Sequence, residues 1–447
     1  MKWLKVSGLI VGAVILLLAV APLFISLNDY VLVVESQVSS KLGEPVKISG
    51  LRAGGLPLPH VTVDGIRIGK TGSITAAHVT ITPDLWSLLG PTKIIRSIRI
   101  DQLVMTQKAI DKIPSWAKSK PIPPGKPVPP PVVRVKSVLL DNATIMLNKT
   151  PFGPFHGSVT LNDDNSLDLA SIVTADGTLK AFIKPEGSHY RVDASAANWT
   201  LPIGPAIHFD EIVVQGFVTA KNLRFPIVRG KAYGGSVAGW TTYSWQKGAR
   251  LRGRANIAGV QLRPLLQALG KPPRMSGKLN ATPVFYSSAA RGKGLLKALH
   301  LESPFDVQDG VLQGVDVGKA ATSVFRDKDP AAVTRFNQLS GHLVFDRGTR
   351  RFTKLKIAAG SLSADGKVTI SPEDELSGRI NTSIESSTLA SMPLNVSGTV
   401  DAPVLLPTAA VAAGAAVGTA ILGPVGTAIG TAIGSKLDQL FGGGSSD

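Results

Sequence analysis

The chain has 447 residues, 44% of them apolar, which is long enough for several cores and too apolar for a disordered chain. It contains no cysteine, which excludes disulfides, thiolate metal sites, a cysteine nucleophile and an acylated-cysteine anchor. Its formal net charge of +17 implies an anionic partner or a strongly basic surface.

Lys2 and Lys5 precede an uncharged apolar run, residues 6–27, which is 22 residues long. A bilayer core takes about 20 helical residues, so this run is expected to be a transmembrane anchor, with Val6, Leu16, Leu17, Leu18 and Phe24 in the span. The flanking lysines predict a cytoplasmic amino end and export of everything after it, tethered to a membrane by a single helix. A cleaved signal peptide is the competing reading, because Ala19-Val20-Ala21 resembles a cleavage site. Pro22 directly after it, and the apolar continuation through Leu23, Phe24 and Ile25, favour the anchor.

From residue 46 to 406 the apolar residues recur with period two in short β-branched bursts: Val61, Val63, Ile66 and Ile68; Val79 and Ile81; Ile98 and Ile100. Each burst ends at Gly, Asn, Asp or Pro, as strands do. No helical pattern of 10 to 15 residues recurs between them, which argues against a parallel βαβ sheet. At roughly 10 to 12 residues per strand and turn, about 30 to 36 strands are expected. Short helices are expected at 30–42 before Gly43, at 262–269 before Gly270, and at 330–337. The stretch from Ile95 to Asp101 loosely resembles that from Val133 to Asp141, a weak internal similarity that suits a repetitive sheet. Between them, residues 120–131 hold seven prolines, read as an extended linker or as a loop leaving one strand of a continuous sheet.

No catalytic constellation emerges. The seven histidines are scattered without metal-ligand spacing. Residues 65–71 fall one position short of a phosphate-loop pattern and lie within strand alternation. An enzyme is not expected, and no cofactor is called for.

Charge is strongly organised. Between Glu211 and Glu302 there is no acidic residue, and that stretch carries fifteen lysines and arginines. Arg250, Arg252 and Arg254 alternate with Leu251, Gly253 and Ala255, which puts three guanidiniums on one strand face. With Arg263 they are candidate contacts for lipid headgroups, each basic residue near an anionic surface being worth about 1 kcal/mol; a solvated basic face is the plainer reading. Nucleic acid is a poor partner for an exported chain. Trp199, Trp240, Tyr243 and Trp245 are the aromatics from which a glycan-stacking surface would have to be built.

Residues 408–435 are uncharged and made mostly of small residues. Gly414 and Gly418, and again Gly426, Gly430 and Gly434, recur every fourth position, a flat stripe on which a helix or bilayer can pack. Pro424 divides it into halves too short to span a bilayer alone.

Several segments resemble AsmA-like proteins. Near the start these are Asp29-Tyr30, the run Leu42-Gly43-Glu44-Pro45-Val46-Lys47-Ile48 and the run Leu56-Pro57-Leu58-Pro59-His60-Val61. Later come Ala232-Tyr233-Gly234-Gly235-Ser236-Val237-Ala238-Gly239, Gly259-Val260-Gln261-Leu262-Arg263-Pro264, Asp309-Gly310-Val311-Leu312, Leu339-Ser340-Gly341 and Gly398-Thr399-Val400-Asp401-Ala402-Pro403. The resemblance implies a Gram-negative inner-membrane protein facing the periplasm, related to chorein-type bridge-like lipid-transfer proteins. The expected fold is mainly β: an elongated, twisted, groove-shaped antiparallel sheet with an N-terminal transmembrane helix, a few short helices and a C-terminal Gly/Ala-rich helical segment. The expected organisation is an anchor at 1–28, an N-terminal β region at 29–118, the proline linker at 119–131, a β groove at 132–407 and a glycine-striped tail at 408–447. Val213, Ile257 and Ile357 are candidate groove-lining residues. The expected function is carriage of phospholipids or other anionic envelope lipids toward the outer membrane in support of envelope biogenesis. A non-transporting scaffold for outer-membrane protein insertion, with an envelope protein as partner, is the alternative.

Overall fold

The computed structural model describes residues 27–413 apart from 56–57, 107–108, 110–132, 148–149, 203, 247, 291–293, 323–330, 386–391 and 410. The anchor residues Val6, Leu16, Leu17, Leu18 and Phe24 therefore lie outside the described residues, as do Gly414, Gly418, Gly426, Gly430 and Gly434. Among the described residues no helix is long and apolar enough to cross a membrane. The chain divides into two compact units, Met1–Ala197 and Asn198–Asp447.

The first unit opens with helix α1, Val31–Leu42, ended by Gly43 at φ +65° with its N–H on the Ser39 carbonyl. Two short edge strands follow, β1 (Val46–Lys47) and β2 (Gly50–Gly54). Side chains of the α1 segment satisfy the N–H groups of that edge. Ser39 Oγ accepts from Val46 N at 2.9 Å, Glu35 Oε1 from Ile48 N at 2.9 Å, and Asn28 Oδ1 from Leu51 N at 3.1 Å. An edge occupied in this way offers no template to another strand.

Next come β3 (His60–Ile68), β4 (Ile74–Pro83), β5 (Lys93–Asp101) and β6 (Val104–Thr106). Gly65, at φ +60°, shifts the pleat of β3 by one residue. Ile66, Ile68 and Val79 consequently pack on one cluster, with Val63 opposite Val79, which accounts for the three-residue step in the apolar spacing of this burst. The unit continues with β7 (Val133–Val135), β8 (Ser137–Leu147), β9 (Thr150–Leu161), β10 (Leu167–Thr174), β11 (Leu179–Glu186) and β12 (His189–Thr200), the last of which runs across the unit boundary.

The sheet of this unit is mixed, which corrects the wholly antiparallel expectation. β5 pairs in parallel with β7 and β8, and β6 in parallel with β8. The two similar segments lie side by side in register: Ile98 opposite Val138, Ile100 opposite Leu140, Asp101 opposite Asp141. Parallel neighbours require a crossover between them, and the proline-rich stretch falls in that connection. The strands on either side of it hydrogen-bond to each other inside one unit, whereas the two compact units divide after Ala197.

The second unit holds β13 (His208–Val218), β14 (Asn222–Ala232), β15 (Gly235–Ser244), β16 (Ala249–Gln261), helix α2 (Leu262–Ala268), β17 (Met275–Ala281) and β18 (Val284–Ala289). Then come β19 (His300–Gln313), helix α3 (Val317–Thr322), β20 (Val333–Asp346), β21 (Thr349–Ala359), β22 (Leu362–Ile370), β23 (Leu376–Ile384), β24 (Met392–Gly398) and β25 (Pro403–Pro407). The pairings from β13 to β25 are all antiparallel. α2 stands where the second helix is expected, with Gly270 at φ +67° just beyond it. The helix expected at 330–337 is instead the start of β20. Thr334 and Phe336 are buried and alternate with exposed Val333 and Arg335, so period two prevails there. Strands reach 14 residues in β19 and β20, so the described chain holds 25 strands, fewer than the spacing estimate.

Candidate functional site

The second unit presents two chemically opposite faces, and cross-strand register assigns residues to each. On one face Ile257 lies opposite Ala281, Ala281 opposite Phe305, and Phe305 opposite Gly341. Farther on, Leu339 lies opposite Ile357, and Ile357 opposite Ala364. Ile257, Phe305, Leu355 and Ile357 are only half-buried. Phenylalanines cover glycines across this face: Phe285 over Gly253, Phe336 over Gly310 and Phe305 over Gly341, each pair directly cross-strand. A glycine leaves room for the neighbouring ring to lie flat on the sheet, which keeps the surface smooth and apolar.

One rim of the face is sealed. The helices follow β16 and β19, and the chain after β25 enters at the same side. Leu262 of α2 packs against the cluster of Val307, Phe336 and Leu339. Val317 of α3 and Val411 join Ile380, Met392 and Leu394, with Leu394 and Val411 fully buried. Thr334 Oγ1 accepts from Val317 N at 2.9 Å and donates to the Val315 carbonyl at 2.9 Å, which holds the start of α3 down. α2 lies mainly against β16 and β17, and α3 against β23, β24 and β25.

The opposite face is basic. Arg250, Arg252 and Arg254 are exposed and sit across from Ser244, Thr242 and Trp240 on one side. On the other side they meet Ser288, Tyr286 and Val284. Arg224 lies opposite Thr242, and Arg229 opposite Ala238, on the same face. None of these five arginines has a carboxylate partner among the described residues, so their charge points to solvent. Trp240 is 44% and Tyr286 55% exposed, and the Tyr286 ring stacks on His300 at 4.7 Å. His300 in turn meets Glu302 at 3.0 Å and Asp346 at 3.6 Å, where the basic patch ends.

Ile257 and Ile357 share the apolar face, and Arg250, Arg252 and Arg254 share the basic one. Val213 is placed otherwise than expected. It lies opposite Arg229, is 41% exposed, and belongs to the basic face, while Ile212 and Val214 occupy the apolar one. Arg263 is exposed on α2, beyond the end of the arginine row. The aromatics do not form one platform: Tyr243 pairs with Leu251 on the apolar face, whereas Trp240 pairs with Arg254 on the basic face. Trp245 donates Nε1–H to the Ala220 carbonyl at 3.0 Å.

The first unit repeats the apolar face. Val79, Ile100 and Leu140 pack with Ile74, Ala143 and Phe155, and Ile172 and Ile183 continue the alternation through β10 and β11. Its other face carries a polar cleft of about 560 Å³ with Arg52, His78, Arg99, Asp141 and His156 in its lining. Asp64 receives Arg52 and His78 there. The Arg52 guanidinium, above all, holds its carboxyl below the ordinary aspartate value. Among the described residues no group of three or more His, Asp or Glu is placed to hold a metal.

The AsmA family model matches residues 215–355, from within β13 into β21, the stretch that carries the arginine row and the middle of the apolar face. No curated protein and no solved structure matches the chain. Residues 215–355 are thus similar to the AsmA family.

Proposed function

We propose that the chain carries phospholipids or other anionic envelope lipids on its apolar face, in the periplasm, anchored to the inner membrane by residues 6–27. The observation that carries this reading is the apolar row from Ile257 through Phe305 to Ile357, whose side chains are only half-buried. Apolar area left in water costs about 25 cal/mol per Å², so acyl chains lying along this row are stabilised while their headgroups stay hydrated. The outer arginines face away from such chains. Their role in this reading is attraction to an anionic membrane surface, not grip on the carried lipid.

Lipid extraction and mass spectrometry of the detergent-washed chain test the proposal. Wild-type protein is expected to retain phospholipid, and a folded double variant Ile257→Lys/Ile357→Lys to lose it. Wild-type protein free of lipid, with outer-membrane assembly dependent on the arginine face alone, overturns carriage in favour of the scaffold.

A further inference from the structure

In the first unit the turns at the two ends of the strands differ sharply. At one end lie the turn at 69–73, with Lys70 and Thr71, and the turn at 175–178, with Asp176. At the other end the connection from β4 to β5 is a short 3-10 turn, Leu85–Leu89, in which Trp86 is 82% and Leu89 87% exposed. Leu58, in the neighbouring connection from β2 to β3, is 46% exposed. The turn is not a loose loop. Asp84 and Ser87 cap it, Ser87 Oγ accepts from Ile94 N at 2.8 Å, and Lys93 Nζ donates to the carbonyls of Leu88 and Gly90. Two large apolar side chains are thus presented to solvent on a hydrogen-bonded platform beside an ammonium group. Farther along the same rim the described tips at 162–166 and 187–188 are polar, while Val133, directly across from Lys93, is 44% exposed and extends the apolar part.

The chain itself indicates what covers that part. Contacts between the α1 segment and the sheet edge step from Ser39 at Val46, through Glu35 at Ile48, to Asn28 at Leu51. The segment therefore runs antiparallel to β1 and β2, and its amino end points toward Gly54 and the rim that bears Trp86. Leu27, where the described chain begins, closes the uncharged run 6–27. We infer that the turn at 85–89 is a membrane-seating wedge. On this inference Trp86 and Leu89 enter the interface of the bilayer that residues 6–27 span, with Lys93 at the headgroups, and hold this rim of the sheet against the lipid. The inference rests on the anchor reading and does not depend on lipid carriage.

The test uses the full-length chain with Trp86 as its single tryptophan, the other five changed to phenylalanine, floated on phosphatidylcholine vesicles containing phosphatidylglycerol. Phospholipid spin-labelled near the headgroup is expected to remove at least half of the Trp86 emission and water-borne acrylamide to quench little of it. The detergent-solubilised chain equilibrated with the same labelled lipid supplies the baseline for carried lipid. Leu89→Asp is expected to restore most of the emission while leaving extracted phospholipid unchanged. Trp86 fully open to acrylamide on chains that float overturns the wedge, and chains that fail to float overturn it together with the anchor. Loss of extractable lipid with Trp86 still quenched counts against carriage alone.

Discussion

The two faces of β16 are made by alternate residues of one strand, yet they differ in almost every physical respect. Leu251, Ala255 and Ile257 look onto an apolar surface, whereas Arg250, Arg252 and Arg254 project three exposed guanidiniums from the other side. An antiparallel sheet with one wet face ordinarily buries the other on a core. Among the described residues the second face is closed along one rim, by α2, α3 and the segment at Val411. The comparison teaches that this unit is packed most tightly at its sealed rim and less closely toward Ile257, so stability and function can be perturbed separately.

Substitutions along the apolar face should separate these roles most clearly. Leu394→Ala, at the sealed rim where the side chain is fully buried, is expected to cost about 2–5 kcal/mol and lower the midpoint of thermal unfolding by several degrees. Gly253→Ala forces the Phe285 ring off the sheet, with an expected loss of about 1–3 kcal/mol in denaturant unfolding. Ile257→Ala, where the side chain is only half-buried, is expected to cost about 1 kcal/mol or less. A cost at Ile257 equal to that at Leu394 would show the middle to be as closely packed as the rim.

On the other face, Arg250→Glu/Arg252→Glu/Arg254→Glu is expected to leave stability and bound lipid unchanged. It should weaken sedimentation with anionic vesicles at low salt, by about 1 kcal/mol per residue, with the difference shrinking as salt rises. The smallest effect concerns the edge guarded by α1. The amide of Ile48, and then the ammonium of Lys47, hold the Glu35 carboxyl below its ordinary value of 4.5. Its stabilising contribution is therefore complete above pH 4.5, shrinks as pH falls below that, and is gone once the lowered folded value is passed. Unfolding measured across this range should show wild type losing its advantage over Glu35→Gln as the solution becomes acid.

Much of this was legible in the sequence. Strict alternation placed Arg250, Arg252 and Arg254 on one face, and the spacing before Gly43 and Gly270 located two helices. The facing of Val213 is not legible in the sequence, because Ile212, Val213 and Val214 are consecutive and period two cannot choose between them; the pairing of Val213 with Arg229 does. The parallel pairing of β5 with β8 was visible only as a likeness between two segments. Repetition states that two strands are alike and says nothing of their direction. Pro330 suggests the first turn of a helix at the start of β20, yet Thr334 and Phe336 gain more by burial beside β19. The phenylalanine–glycine pairs depend on register between distant strands, which no local pattern contains.

The central claim is that lipid lies on one face of the sheet and not on the other. Photo-crosslinking from adjacent positions tests it most directly, because Ile357 and Lys356 are neighbours in the chain with side chains on opposite faces. A benzophenone amino acid at 257 or 357, irradiated in cells with labelled phospholipid, is expected to give lipid adducts, and the same group at 256 or 356 is not. Equal adducts at all four positions, or adducts confined to 256 and 356, would contradict the account.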